Sequence, residues 1–285
     1  MEEGEGPHGS WAGPEPAILS EASGVVAVAK PAGLPTQAPA GIPSAESWLR
    51  QRQSAAGLGG AAYVGVPHRL DRAVSGLLLL ATTPRAARKL SRQFERREIG
   101  KRYLALLASD GSPTALAVVA SLEASPAGIE WRDRMEKVPD EPRARIVVST
   151  DGGGREAITR ARLLGVLPAG TLLVALEPST GRMHQLRLQA AARGLPIVGD
   201  NLYGGGQAGG QAPAAVGSFG PPAVDPRLQA IGLHASRVSY TDPDTGQRTT
   251  IEAPPPIFWP AEVPLLIASV AGHDGGSPPA WVSHC

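Results

Sequence analysis

The sequence predicts a mixed α/β fold of the α+β kind, with helices set around a mostly antiparallel, meander-like sheet. Three observations carry this. Short apolar or alternating runs recur along the chain, separated by Gly/Pro turns. Thr83-Pro84 opens a helix with a hydroxyl cap and a proline at the first helical position, and Ala87, Leu90 and Phe94 then share one face. Residues 233–241 and 247–252 flank Asp242-Pro243-Asp244-Thr245-Gly246, the signature of a hairpin. With 285 residues and 42% hydrophobic content, the chain can bury a real core as one large domain or two small ones.

Taken in order, residues 1–17 are Gly, Pro and acidic residues without a period and predict a flexible tail. Val25 to Ala29 reads as a strand, ended by the turn Lys30-Pro31-Ala32-Gly33. Ser44 to Ala56 predicts a helix with Ser44 as its cap, broken by Gly57 and the Gly59-Gly60 pair. The apolar block Leu77 to Ala81 suits a buried strand, although periodicity alone also allows a helical segment. The Thr83-Pro84 helix runs to about Arg97, and Ile99 to Ala108 follows as a strand carrying Tyr103. Further strands are expected at 115–123, 143–150, 157–166 and 171–177, then a helix over 181–193 ended by Gly194 and Pro196. Residues 203–226, rich in Gly, Ala, Gln and Pro, predict a flexible insertion. A short closing helix over 259–270 precedes a C-terminal tail, 271–285, and no internal repeat is visible.

The net charge of +1 excludes a polyelectrolyte. Positive charge is instead local: Arg85, Arg88, Lys89, Arg92, Arg96, Arg97, Lys101 and Arg102 stand against Glu95 and Glu98 alone. The single cysteine, Cys285, excludes an internal disulfide framework and a cysteine-based zinc cluster, and suits no nucleophile. No apolar run reaches the roughly 18 residues of a membrane span, and no leader pattern opens the chain, so a cytoplasmic protein is expected.

The candidate chemistry centres on His68-Arg69-Leu70-Asp71-Arg72, a charged loop leading straight into the apolar block. An aspartate in a loop is ordinarily a turn former or a cap. Here arginines flank it, and a carboxylate near arginine stays ionised, as a nucleophile or base requires. In the 181–193 helix, His184 and Arg187 share a face. A surface helix with scattered charges is the ordinary reading. The neighbouring Leu186, Leu188 and alanines instead turn Arg187 toward a partner, for which Asp71 is the acidic candidate. No second ligand has the spacing to make His184 a metal site. Tyr103 would ordinarily be a core aromatic, yet between Lys101-Arg102 and Leu104 it also fits a stacking platform beside phosphate-binding cations.

These residues resemble the RluA-type pseudouridine synthases. His68-Arg69-Leu70-Asp71 with Ser75-Gly76-Leu77-Leu78-Leu79 is similar to that family's central motif. Lys30-Pro31-Ala32-Gly33-Leu34-Pro35-Thr36 resembles its N-terminal signature and Lys101-Arg102-Tyr103 its tyrosine motif. Thr180-Gly181-Arg182-Met183-His184-Gln185-Leu186-Arg187, with Gly194 to Asp200, resembles its third motif. Leu233-His234-Ala235 and the Asp242 turn resemble its C-terminal hairpin. The blocks occur in family order over about residues 24–258.

The resemblance implies a pseudouridine synthase fold, in which a long, mostly antiparallel sheet has a central cleft flanked by helices and loops. The catalytic domain would span 18–270. It also implies isomerisation of uridines in transfer and/or ribosomal RNA to pseudouridine by a monomer, with no cofactor and no metal. Asp71 matches the catalytic aspartate, Tyr103 the tyrosine that stacks on the target base and is a candidate for removing the C5 proton, and Arg187 the basic partner of the aspartate. Arg69 matches the residue that fills the gap left by a flipped nucleotide. His68, Lys101 and Arg102 are expected to contact RNA beside it. Two positions depart from the common pattern: Val74 where many members have threonine, and Gln189 where many have histidine. A non-catalytic RNA-binding protein is the alternative, disfavoured by the intact Asp71, Tyr103 and Arg187. A glycosidase is disfavoured because no second carboxylate has a comparable setting.

Overall fold

A computed structural model describes residues 11, 13–57, 62–148, 153–204 and 229–273. Its strands are β1 (Ala17–Ala22), β2 (Val25–Lys30), β3 (Ser75–Ala81), β4 (Gly100–Leu107), β5 (Ile129–Lys137), β6 (Ala144–Ile146), β7 (Arg155–Val166), β8 (Leu172–Pro178), β9 (Leu233–Thr241) and β10 (Arg248–Glu252). The helices are α1 (Ala45–Ala55), α2 (Pro84–Glu95), α3 (Pro113–Ala124), α4 (Gln185–Ala191) and α5 (Glu262–His273). The strands join in one sheet, in the order β1-β2-β3-β9-β4-β8-β7-β5-β6, with β10 on β9. Pairing is antiparallel throughout, except where β3 meets β9. No described helix is long and apolar enough to cross a membrane.

The uninterrupted Leu77–Leu80 run is a strand because both of its faces are covered. Leu78 and Leu80 join Val26, Val28, Val174 and Leu176 in a core that takes in Leu49 of α1, Leu122 of α3 and Leu186 of α4. Leu77 and Leu79 pack instead with Ala86 and Leu90 of α2 and with Val238 and Tyr240 of β9. A further cluster joins Leu104, Leu106 and Leu173 to Val263 of α5.

The parallel contact of β3 with β9 is brief, Ser75 opposite His234 and Gly76 opposite Ala235. Gly76 makes it possible. Its φ is +109°, and a Cβ there would lie 2.3 Å from the carbonyl oxygen of Ala235. The same Ala235 lies opposite Tyr103 on β4. One row across the sheet therefore runs Gly76, Ala235, Tyr103, two strand spacings or roughly 10 Å from end to end. That row puts β3, which the Asp71 loop enters, two strand spacings from the strand that carries the tyrosine.

Several elements differ from the sequence-based expectation. Residues 115–123 are not a strand but part of α3, started by Ser112, whose hydroxyl accepts the Ala115 N–H, and by Pro113 at the first position. This is the same start as Thr83-Pro84, and it governs because the helix formers Ala and Leu outnumber the two valines of the segment. β5 was not anticipated, its charges masking an alternation in which Trp131 and Met135 are buried. β1 begins at Ala17, where the flexible tail was expected to end. The helix around Arg187 spans only Gln185–Ala191, because His184 is left-handed at φ 51° and cannot continue a helix. From residue 205 the expected insertion lies outside the described residues, as do most of the N-terminal tail and Cys285.

Candidate active site

Asp71 sits in a tight turn closed by the Val74 N–H on its carbonyl. The turn is held from behind by the first motif. Thr36 Oγ1 donates to the Leu70 carbonyl at 2.9 Å and accepts the Leu70 N–H at 3.1 Å. The ammonium of Lys30, 1% exposed, donates to the carbonyls of Pro31, Leu34 and Arg72 at 2.9, 2.8 and 3.4 Å. Arg72 Nε returns a bond to Gly33 O at 2.8 Å, and the Gly33 N–H donates to Arg72 O at 2.7 Å. Burial pushes Lys30 down to about 7, with the charge of Asp71 opposing that shift and Arg72 adding to it. The first two motifs are thus one structural unit, and Arg72 serves it as a clamp.

Arg187 reaches the same carboxylate from α4, its Nη1 donating to Asp71 Oδ2 at 3.2 Å. Its stronger bond is elsewhere. Nε and Nη2 donate to Oδ2 and Oδ1 of Asp200 at 2.7 and 2.8 Å, a two-pronged pair with Asp200 1% exposed. Burial works against the guanidinium charge, and the bonds and charges of Asp200 and Asp71 outweigh it, so Arg187 stays a cation. Asp200 also accepts the N–H groups of Leu202 and Tyr203. Sequence reasoning gave Asp200 no role. Its signal is an acid closing an apolar block, Leu195 to Gly199, in the third motif.

His184 lies against the same oxygen as Arg187, its Nε2 3.6 Å from Asp71 Oδ2. Its Nδ1 is 2.9 Å from the hydroxyl of Tyr203, which also accepts the Ala144 N–H at 2.9 Å. The Arg187 guanidinium carbon lies 5.4 Å from the Tyr203 ring centre. Tyr103 is half-buried on β4 against the core containing Leu176 and Leu186. Burial, and then the charge of Asp71, push its phenol well above the usual range. It rests as a neutral phenol.

The remaining candidates divide. Arg69 is exposed, with no hydrogen bond or ion pair among the described residues. Lys101 is half-buried, its ammonium 3.4 Å from Thr180 O and pulled down by burial and then by Arg97. His68, expected at the RNA, is used inside the fold: its Nε2 accepts the Leu79 N–H at 2.8 Å and its ring stacks on Phe94 at 4.4 Å. Burial and Lys101 hold it down at about 3, so it brings no charge to a phosphate. Arg102, by strand alternation, faces away from Tyr103 and pairs with Glu177 at 2.7 Å, on a separate groove that Arg160 also lines. In the basic helix α2, Arg85 pairs with Asp244 and Lys89 with the Pro243 carbonyl, leaving Arg88 and Arg92 exposed.

The two departures have structural readings. Val74 is buried in the main core. Gln189 accepts the Thr159 hydroxyl and donates to Asp133, Trp131 O and Ala157 O, fastening α4 to the sheet.

Residues 24–192 match the protein family described as RNA pseudouridylate synthase, which is more than half of the 285-residue chain. Over 237 residues the chain is 32% identical to the dual-specificity RNA pseudouridine synthase RluA of Pasteurella multocida, spanning 81% of this chain and 89% of that one. Over 187 residues it is 34% identical to the protein of the same name from Escherichia coli, spanning 66% and 71%. Among solved structures, human RNA pseudouridylate synthase domain containing 4 aligns with a TM-score of 0.63 at 21% identity, over 85% of this chain and 89% of that one. Human RNA pseudouridylate synthase domain containing 1 aligns with a TM-score of 0.58 at 22% identity, over 90% and 87%. At these identities the structural likeness speaks to the fold.

Proposed function

The chain belongs to the RNA pseudouridylate synthase family and is an RNA-modifying isomerase, and from that premise we propose that it converts uridines of structured transfer or ribosomal RNA to pseudouridine with Asp71 as the catalytic group. The observation that carries this is the contact of Asp71 with the buried cation Arg187, on a turn that leads into β3, two strands across the sheet from Tyr103.

The reaction is a net isomerisation. The N1–C1′ bond breaks, uracil turns in its pocket, C5 joins C1′, the C5 proton leaves and N1 gains one. An ionised carboxylate is suited to engage either the ribose C1′ or the uracil ring. The base must leave its stack to reach it. Arg69, exposed beside Asp71, is placed to occupy the vacated position, and Tyr103 offers its ring to the flipped base. Removal of the C5 proton follows formation of the C5–C1′ bond, and Tyr103 is the group we assign to it. Lys101 and the exposed arginines of α2 supply phosphate contacts that weaken as salt rises.

In this reading the enzyme works as a monomer in the cytoplasm. Mapping pseudouridine in total RNA from cells with and without the gene tests it. Loss of specific sites in transfer or ribosomal RNA supports the reading, and an unchanged map of both contradicts it.

A further inference from the structure

His184 shares Oδ2 of Asp71 with Arg187, and the contacts of its ring bear on where its proton lies. The Tyr203 hydroxyl accepts the Ala144 N–H at 2.9 Å and keeps both its hydrogen and a second lone pair for His184 Nδ1, 2.9 Å away. That contact suits either tautomer, so the other end of the ring decides. The Nδ1–H tautomer would set the Nε2 lone pair against Asp71 Oδ2, 3.6 Å away, whereas the Nε2–H tautomer sets a hydrogen there and lets Nδ1 accept from Tyr203.

We propose that His184 is a positioning residue for Asp71, held as the Nε2–H tautomer between Asp71 and Tyr203, and that with Arg187 it pins Oδ2 so that Oδ1 is the oxygen presented to the nucleotide. This rests on the reading of Asp71 as the catalytic group and deepens it.

Three features of the site support the assignment. Oδ1 of Asp71 has no hydrogen-bond partner among the described residues, whereas Oδ2 faces both Arg187 and His184. His184 is held at φ 51°, a left-handed conformation in which its ring spans Tyr203 and Asp71. Asp200 positions both partners at once, through Arg187 and through the Tyr203 N–H. Burial, then the Arg187 charge, keep the imidazole neutral against the opposing pull of Asp71 and Asp200. At 3.6 Å the Nε2–Oδ2 approach is longer than a hydrogen bond, as is common for catalytic groups before substrate closes the site.

The test is nitrogen NMR of the His184 ring in the full-length protein at pH 7, assigned by its disappearance in His184→Asn. The expected spectrum has a protonated Nε2 and an unprotonated Nδ1. A protonated Nδ1, as the other tautomer or as imidazolium, overturns the proposal. In turnover assays, His184→Asn accepts the left-handed backbone but cannot reach Asp71. It should lower kcat about 10²-fold while the KM for RNA stays within about twofold. Tyr203→Phe should lower kcat less and move the His184 nitrogen signals. A His184→Asn enzyme with wild-type kcat sinks this proposal alone, provided Asp71→Asn is inactive. An active Asp71→Asn enzyme instead removes the functional reading beneath it.

Discussion

Arg187 binds Asp200 through two hydrogen bonds of 2.7 and 2.8 Å and Asp71 through one of 3.2 Å. The cation that serves the proposed catalytic carboxylate is therefore oriented first by a different, buried one. Removing Asp200 leaves Arg187 buried with a single, longer partner. Asp200→Asn is expected to destabilise the fold by about 3–5 kcal/mol, read by denaturant unfolding, and to lower turnover even where the protein stays folded. Arg187→Lys should not rescue activity, because an ammonium cannot make the two-pronged bond and reach Asp71 as well. A stable, fully active Asp200→Asn variant would show the pair to be incidental.

Lys30 links the N-terminal signature to the Asp71 turn. Lys30→Met strips the carbonyls of Pro31, Leu34 and Arg72 of a shared donor, at a cost of about 2–4 kcal/mol. Turnover should fall further than RNA affinity, since the turn and not the RNA surface is loosened. A melting temperature within a degree of wild type contradicts the clamp.

Tyr103→Phe keeps the stacking ring and removes the hydroxyl. RNA affinity should be retained and turnover should fall by about 10²-fold or more, whereas Tyr103→Ala loses both. Equal, wild-type-like rates for the two variants would take Tyr103 out of the site.

Gly76 is the point where β3 and β9 touch. Gly76→Ala places a methyl group 2.3 Å from a backbone oxygen in a conformation that side chains avoid. Loss of soluble protein or of cooperative unfolding is expected, and a variant as stable as wild type would contradict the described approach.

Buried His234 gives the fold a pH dependence. Its Nδ1 is 2.9 Å from the Ser75 hydroxyl and its Nε2 3.2 Å from Ala253 O. Burial, opposed by the Ala253 bond, lowers it from 6.5 to about 4. Above pH 6.5 neither state is protonated, and the stability is fully present. Below it the unfolded chain binds a proton that the folded ring refuses until about pH 4, so stability drops by an amount on the order of 3 kcal/mol across that window. Because buried Lys30 and His68 are also lowered and act in the same sense, the His234 share is read as the difference in unfolding free energy between wild type and His234→Gln. That difference should be constant above pH 7 and shift against wild type as pH falls from 6.5 to 4. A difference that does not change down to pH 5 contradicts a neutral His234.

The legible parts of this protein were those whose reasons are local. Thr83 and Pro84 announce a helix by capping chemistry, and the Asp71, Tyr103 and Arg187 motifs carry the candidate site with them. What stayed hidden depends on where side chains point in three dimensions. The same capping signal stands at Ser112-Pro113, but the Val118-Val119 pair after it also suits a strand. Alternation behind the charges of β5 concealed Trp131 and Met135. His68 and Arg102 stand next to other candidate residues in sequence, yet one is engaged by the Leu79 N–H and Phe94 and the other turns to the opposite face of β4. Asp200 and Tyr203 acquire their roles only once the chain after α4 returns to Arg187 and His184.

If the Asp71 carboxylate performs the isomerisation while the surrounding cations hold the RNA, its amide should bind without turning over. Pseudouridine formation by Asp71→Asn is measured on the RNA the wild-type enzyme modifies, alongside RNA binding by the same variant. No detectable product is expected, with affinity within a few-fold of wild type. Undiminished product from Asp71→Asn would contradict that role for Asp71.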